Sequence, residues 1–255
     1  MIHRLALLQC VSPAGEPEAA FAALAPALNA AAVAGAQMLV APEALLPGYN
    51  SPRIAELAQA QGGAWQQRLA QICRKAGCGV TLGYSERAGD DVFNAALCLD
   101  AQGQVLANYR KIQLYGAREA GLYRAGDNYC VFDFMGEKAA LLICYDVEFA
   151  PHIAALAARG VSTIFVPTAN MLPFTHVAAA TVPAMAANHG VTIVYANFCG
   201  SEGDLIYAGG SVIAGPHGEV LAQAGQTTSL LIADIPPRDP ARLTSQSRDY
   251  RPISG

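Results

Sequence analysis

Charge is scarce in this chain. Only 14% of its 255 residues are Asp, Glu, Lys or Arg, and the formal net charge is -4. The basic residues are scattered, so nothing in the electrostatics favours nucleic acid or an anionic membrane surface. No apolar run is long enough to cross a bilayer without polar interruption. The apolar part of Met1–Cys10 is too short for a secretory signal, and Val11-Ser-Pro13 reads as a strand leaving into a loop. A disulfide framework is missing too, because seven cysteines at irregular spacing cannot all pair. Cys73 and Cys78 are too far apart for a redox pair and have no nearby histidines for zinc. No two of the five histidines have metal-ligand spacing, and no Gly-x-Gly-x-x-Gly follows a strand. The expectation is a soluble, reduced, cytoplasmic protein with no metal and no organic cofactor.

What the chain has in quantity is core. Its hydrophobic content is 53%, which suits one large domain over 1–255. Residues 2–9 read as a first strand. An alanine-rich helix follows over 16–35, with a kink expected at Pro26. Met38–Ala41 is a buried-type strand and 46–50 a loop. A second helix runs over 64–75, with Leu69, Ile72 and Cys73 on one face and Gly77 as its stop. Residues 80–84, 92–99 and 104–108 are strands, with Asp100-Ala-Gln-Gly103 as a hairpin turn. Residues 111–128 read as a long irregular stretch. Strands at 130–134 and 138–143 flank Met135-Gly-Glu137. Helix and strand then alternate to Asn197, and the remainder is β-rich around a turn at Gly215-Pro-His-Gly218. This alternation predicts an α/β protein. The hairpins require antiparallel pairs, so two mixed sheets packed face to face, each backed by helices, fit better than a doubly wound parallel sheet. The architecture is a four-layer α-β-β-α sandwich.

Three buried-type runs end in abrupt polarity. Met38-Leu-Val-Ala41 leads to Glu43, Ala139–Ile143 to Cys144, and Thr163-Ile-Phe-Val166 to Thr168 and Asn170. Ligands of open α/β sheets meet the chain at strand ends. Acyl transfer by a thiol needs the thiol, a proton acceptor and a donor for the oxyanion. Cys144, Glu43 and Lys111 could supply these. Singly, each has a plain structural reading: Cys144 as a core thiol, Glu43 as a helix cap, Lys111 with Glu119 as an exposed ion pair. A Cys–His hydrolase with His189 as base is a rival, but Asn188-His-Gly190 reads as a helix end.

Four segments carry a resemblance across nearly the whole chain. Leu39-Val-Ala-Pro-Glu43 with Leu46-Pro-Gly-Tyr49, Tyr109-Arg-Lys111, Gly116-Ala-Arg-Glu119 and Leu142-Ile-Cys-Tyr-Asp-Val-Glu-Phe149 resemble, in this order, the motifs of the nitrilase superfamily of carbon–nitrogen hydrolases. The resemblance implies the sandwich fold and a catalytic set of Glu43, Lys111, Glu119 and Cys144. Glu43 is then the general base, Lys111 and the Tyr145 N–H the oxyanion donors, and Cys144 the nucleophile. It also implies a homodimer or higher homo-oligomer joined through outer helices. Gln113 replaces a frequent histidine, and Ala150 intervenes before Pro151 where proline often follows directly. The ending Asp249-Tyr-Arg-Pro252 is similar to the family's but shorter. Val166–Met171 and Tyr195–Gly200 are similar to bacterial aliphatic amidases of the delta-aminovaleramide amidase type. A small-molecule amide is the implied substrate. Tyr49, Tyr145, Thr168 and Asn170 are candidates to bind it, and Glu202 and Asp204 to receive a substrate amine. Alternatives are a nitrilase or N-carbamoyl-amine hydrolase of the same fold, or a catalytically silent scaffold.

Overall fold

A computed structural model describes residues 3–249 and 251. The chain runs β1 (His3–Val11), α1 (Pro17–Val33), β2 (Met38–Val40), α2 (Ile54–Leu57), α3 (Ala64–Ala76), β3 (Gly79–Ala88), β4 (Asp91–Leu99), β5 (Val105–Arg110) and α4 (Gly116–Leu122). It continues through β6 (Cys130–Phe134), β7 (Glu137–Leu141), a 3-10 turn (Cys144–Glu148), α5 (Ala150–Ala158), β8 (Val161–Pro167), a π turn (Val177–Thr181), α6 (Val182–His189) and β9 (Thr192–Ala196). The short strands β10 (Phe198–Cys199), β11 (Ser201–Glu202) and β12 (Leu205–Ile206) precede β13 (Val212–Ala214), β14 (Val220–Gln223), β15 (Ser229–Ile235) and α7 (Gln246–Asp249).

Two sheets form. The first has the order β10-β1-β2-β3-β4-β5, with β15 antiparallel to β1; the second is β14-β13-β9-β8-β7-β6. Both are mixed. β1, β2 and β3 run parallel while β3, β4 and β5 alternate. β7, β8 and β9 run parallel between antiparallel flanks. The period-2 geometry of β1 shows how the layers separate. Leu5 and Leu7 point into a core shared with Ile164, Val166 and Val194 of the second sheet. Ala6 and Leu8 point the other way, onto Phe21, Leu24 and Leu28 of α1 and Leu69 and Cys73 of α3. Ile153 and Leu156 of α5 and Val182 and Ala186 of α6 join the second sheet. The result is the α-β-β-α sandwich that the hairpins and buried runs imply.

Local structure refines several expectations. Helix α1 continues past Pro26 to Val33, so the proline does not end it. The stretch 111–128 is not irregular throughout: α4 lies within it and carries Glu119. That helix is short, has no side-chain cap and contains two glycines, so its propensity signal is weak. The strands of 210–235 do pair antiparallel, but not all with one another. β13 and β14 form a hairpin, but β15 crosses to the first sheet. Of the C-terminal motif Asp249–Pro252, Tyr250 and Pro252 lie outside the described residues.

Where the chain leaves β2 it crosses β3 at very short range. A Cβ on Gly83 would sit 2.2 Å from the Ala44 nitrogen and 2.5 Å from the Glu43 Cα. Only a missing side chain allows that approach. Gly121 is the contrast: it lies in α4, exposed, and a Cβ placed there would meet nothing within 4 Å. Gly83→Ala should therefore destabilise the fold by about 1–3 kcal/mol through overpacking. Gly121→Ala should stabilise it by roughly 0.4–1 kcal/mol by restricting the unfolded chain. Urea unfolding of the two variants against the parent checks both signs.

Candidate active site

Lys111 follows β5 directly. Its N–H donates to the Asn94 carbonyl of β4 at 2.8 Å, and its own carbonyl accepts from Gly126 at 2.7 Å. That pins the backbone and sends the side chain inward, where it is 1% exposed. The ammonium donates to Glu43 Oε1 at 2.7 Å and to Glu119 Oε1 at 2.8 Å. Both carboxylates are fully buried. The expectation of an exposed Lys111–Glu119 pair therefore does not hold.

Each carboxylate is tied down further. Asn94 Nδ2 donates to Glu43 Oε1 at 2.7 Å. The Tyr49 hydroxyl donates to Glu119 Oε1 at 2.6 Å, and the Tyr115 N–H to Glu119 Oε2 at 3.0 Å. Glu43 Oε2, though buried, has no partner among the described residues. Burial raises the Glu43 pKa, and Glu119 adds to the rise, while Lys111 and Asn94 oppose it. Burial works against the Lys111 charge, but Glu43, Glu119 and Cys144 outweigh it and hold the ammonium well above its ordinary pKa.

Cys144 comes from the other sheet. β7 ends at Leu141, and the chain turns at Cys144 with φ +45°, a left-handed conformation that non-glycine residues rarely adopt. Asp146 holds that turn. Its Oδ2 accepts from the Ile143 N–H at 3.0 Å and the Tyr109 hydroxyl at 2.8 Å, and its Oδ1 accepts from the Gln113 N–H at 2.7 Å. Asp146 thus ties the cysteine turn to the segment after Lys111. Burial, with Glu43 adding, pushes the Cys144 thiol well above its usual pKa, and Lys111 pulls it back in part. The other six cysteines are unpaired, and burial carries Cys10, Cys73 and Cys98 up to about 12. Cys10, Cys73, Cys78 and Cys98 lie in the apolar cores and none of the six lines the cavity.

Cys144 opens on a cavity of about 250 Å³, below the ~300–1,000 Å³ of drug-sized ligand sites. Tyr49, Tyr145 and Asn170 line it, as do four residues that the strand-end pattern does not suggest: Tyr115, Glu148, Phe174 and His176. The Asn170 side chain also donates to the Phe174 carbonyl at 2.8 Å, closing its loop. Thr168 is not at the wall. Its hydroxyl donates to the Val166 carbonyl, and its carbonyl accepts the Glu43 N–H at 3.2 Å, joining the two sheets. Glu202 and Asp204 are also outside. Glu202 is buried and accepts from the Tyr207 hydroxyl; Asp204 is exposed and accepts from Asn50. The hairpin β11–β12 turns both away, a fold-back that proximity to Cys199 in sequence does not reveal. Asn94 has a readable signal: it is an amide inside the apolar run of β4.

His189 ends α6, and the left-handed cap there is Gly190. Gln113 Nε2 lies 3.0 Å from His152 Nε2, behind the cysteine turn. Ala150 opens α5, leaving Pro151 in the first helical turn where its missing N–H costs nothing. Among the described residues no cluster of three or more His, Cys, Asp or Glu could hold a metal ion, and no helix is long and apolar enough to cross a membrane.

Comparison with known proteins gives a consistent neighbourhood. A hydrolase from the pqqF 5′ region of Pseudomonas protegens is 42% identical over 204 residues, covering 78% of this chain and 72% of that protein. The 2-oxoglutaramate amidase of Bacillus subtilis is 30% identical over 210 residues, covering 82% and 81%. An amidase from Nesterenkonia sp. AN1, solved as a cysteine-to-alanine variant in complex with butyramide, superposes with a TM-score of 0.87 at 35% identity, covering 92% and 91% of the two chains. A further structure of that amidase shows acrylamide added to its active-site cysteine. The family model for carbon-nitrogen hydrolases matches residues 4–243. This chain therefore belongs to the carbon-nitrogen hydrolase family, within the nitrilase superfamily.

Proposed function

We propose that this protein is an amidase that hydrolyses a small aliphatic amide to a carboxylic acid and ammonia through a thioester on Cys144. One observation carries the reading: a buried ammonium clamped by two carboxylates, one of which keeps a free oxygen, beside a cysteine that opens on a small cavity. The butyramide bound to the Nesterenkonia relative supports an amide of this size.

The steps follow from the donors and acceptors. The Cys144 pKa is high, so a base must take its proton as sulfur attacks the carbonyl carbon. Glu43 Oε2 is free to accept it. An ammonium has three N–H donors. Two of those on Lys111 are held by Glu43 and Glu119, leaving the third for the oxyanion. The Tyr145 N–H, in the first turn of a 3-10 segment and thus without an acceptor within that turn, supplies a second donor. Glu43 passes the proton to nitrogen as the C–N bond breaks, and ammonia leaves. Water then attacks the thioester, giving its proton to Glu43. Collapse breaks the C–S bond, and the proton returns to sulfur. Glu119 fixes Lys111 throughout. A reducing cytoplasmic setting and a homodimer joined through the outer helices belong to the same reading; light scattering on the purified protein tests the dimer.

Ammonia release from butyramide should vanish in Cys144→Ala and fall by at least ~100–1,000-fold in Lys111→Ala, the usual cost of one oxyanion donor, to which the loss of the counter-charge for Glu43 and Glu119 adds. Acid-quenched wild type should carry an acyl mass on the Cys144 peptide. Turnover of butyronitrile faster than butyramide would instead make the protein a nitrilase.

The pH profile provides a second test. Activity needs ionised Glu43, whose pKa is raised, so the acidic limb of kcat/KM should lie above the ordinary glutamate value of 4.5. The Glu119 charge contributes to that rise. Glu119→Gln should therefore move the limb to lower pH while reducing the rate. A limb that stays in place, or moves up, would remove Glu43 from the role of base.

A further inference from the structure

Glu148 ends the 3-10 turn that begins at Cys144. Four steps of ~2.0 Å separate their backbones by about 8 Å along the turn. Both side chains border the same cavity, so a substrate attacked at one end directs its far end toward Glu148. The carboxylate is half-buried and, among the described residues, takes part in no hydrogen bond and no ion pair. Burial raises its pKa, and the nearby charges of His176 and Lys111 offset this only in part.

The surroundings favour positive charge. Tyr115 sits edge-on to Tyr145 at 5.3 Å and to Phe174 at 6.2 Å, so several ring faces and edges enclose the space. Aromatic faces attract cations and repel anions. Among the described residues no arginine lines the cavity, and the buried ammonium nearby, Lys111, is already shared between two carboxylates. Among the described residues His176 is the sole basic side chain at the wall.

We infer that Glu148 sets the charge selectivity of the cavity, admitting an amide whose far end is a protonated amine and rejecting one whose far end is a carboxylate. This rests on the amidase reading and names the class of amide within it. It also separates this chain from its 2-oxoglutaramate-hydrolysing relative, whose named substrate is an anion. The amine is thus received by Glu148, from the cysteine turn itself, rather than by Glu202 or Asp204.

Three amides with five-carbon acyl chains test it: 5-aminovaleramide, valeramide and glutaramate, which carry positive, no and negative charge at the far end. In wild type, kcat/KM should fall in that order, by about two- to fivefold per step for a half-exposed charge, and the spread should shrink with added salt. In Glu148→Gln, the ratio of amine to neutral amide should drop about two- to fivefold, and the ratio of glutaramate to neutral amide should rise. Calorimetric binding of the same three compounds to Cys144→Ala should show the same order without any chemistry. Glutaramate handled as well as 5-aminovaleramide by wild type, or ratios unmoved in Glu148→Gln, would overturn the proposal. If wild type released no ammonia from any of them while Cys144→Ala kept the binding order, the amidase reading would fall and the charge selectivity would stand.

Discussion

The ammonium of Lys111 is the hub on which this end of the molecule depends. Three ionisable groups lie there in full burial, and moving each ion out of water costs several kcal/mol. One cation between two carboxylates compensates much of that cost. Asn94, Tyr49 and the Tyr115 N–H satisfy most of the oxygens that remain. Without the lysine, two buried carboxylates would face each other with no counter-charge. Stability alone does not account for such a cluster, since well-packed apolar side chains of similar volume often do as well or better. The unsatisfied Glu43 oxygen points the same way. A chain selected for stability alone would have paired it or removed it.

Two close backbone approaches deliver the cluster. Gly83 lets the Glu43 segment lie against β3, and Gly126 lets its own segment pass within 2.2 Å, as measured from a notional Cβ, of the Arg110 carbonyl beside Lys111. Asp146 gives the third fixing, by gripping the cysteine turn and the lysine segment together. The left-handed backbone of Cys144 costs about 1–3 kcal/mol in general. It persists because hydrogen bonds on both sides of the turn leave it no other course.

Much of this arrangement is legible in the sequence, because burial leaves a mark on composition. A strand covered on both faces must be apolar throughout, so the polar residue that ends it stands out. Glu43 and Cys144 are visible on that ground. Lys111 and Glu119 are visible through the motifs around them, and hydrogen bonds join Lys111 to both Glu43 and Glu119. What stays hidden depends on direction. Whether Glu148, Glu202 or Asp204 meets the cavity is decided by the rotation of a 3-10 turn and by a two-residue hairpin, and neither has a periodic signature. Helix α4 escapes detection for a related reason. Seven residues with two glycines form a helix because tertiary contacts hold it, not because propensity demands it.

The cluster draws its members from both halves of the sandwich. Glu43, Lys111 and Glu119 come from segments that follow strands of the first sheet, whereas Cys144 follows a strand of the second. The Glu43 N–H reaches the Thr168 carbonyl across the divide. Either sheet alone therefore brings Cys144 or Glu43, never the pair. The site exists only at the seam, and whatever loosens the packing of one sheet on the other takes it apart without touching any of its residues.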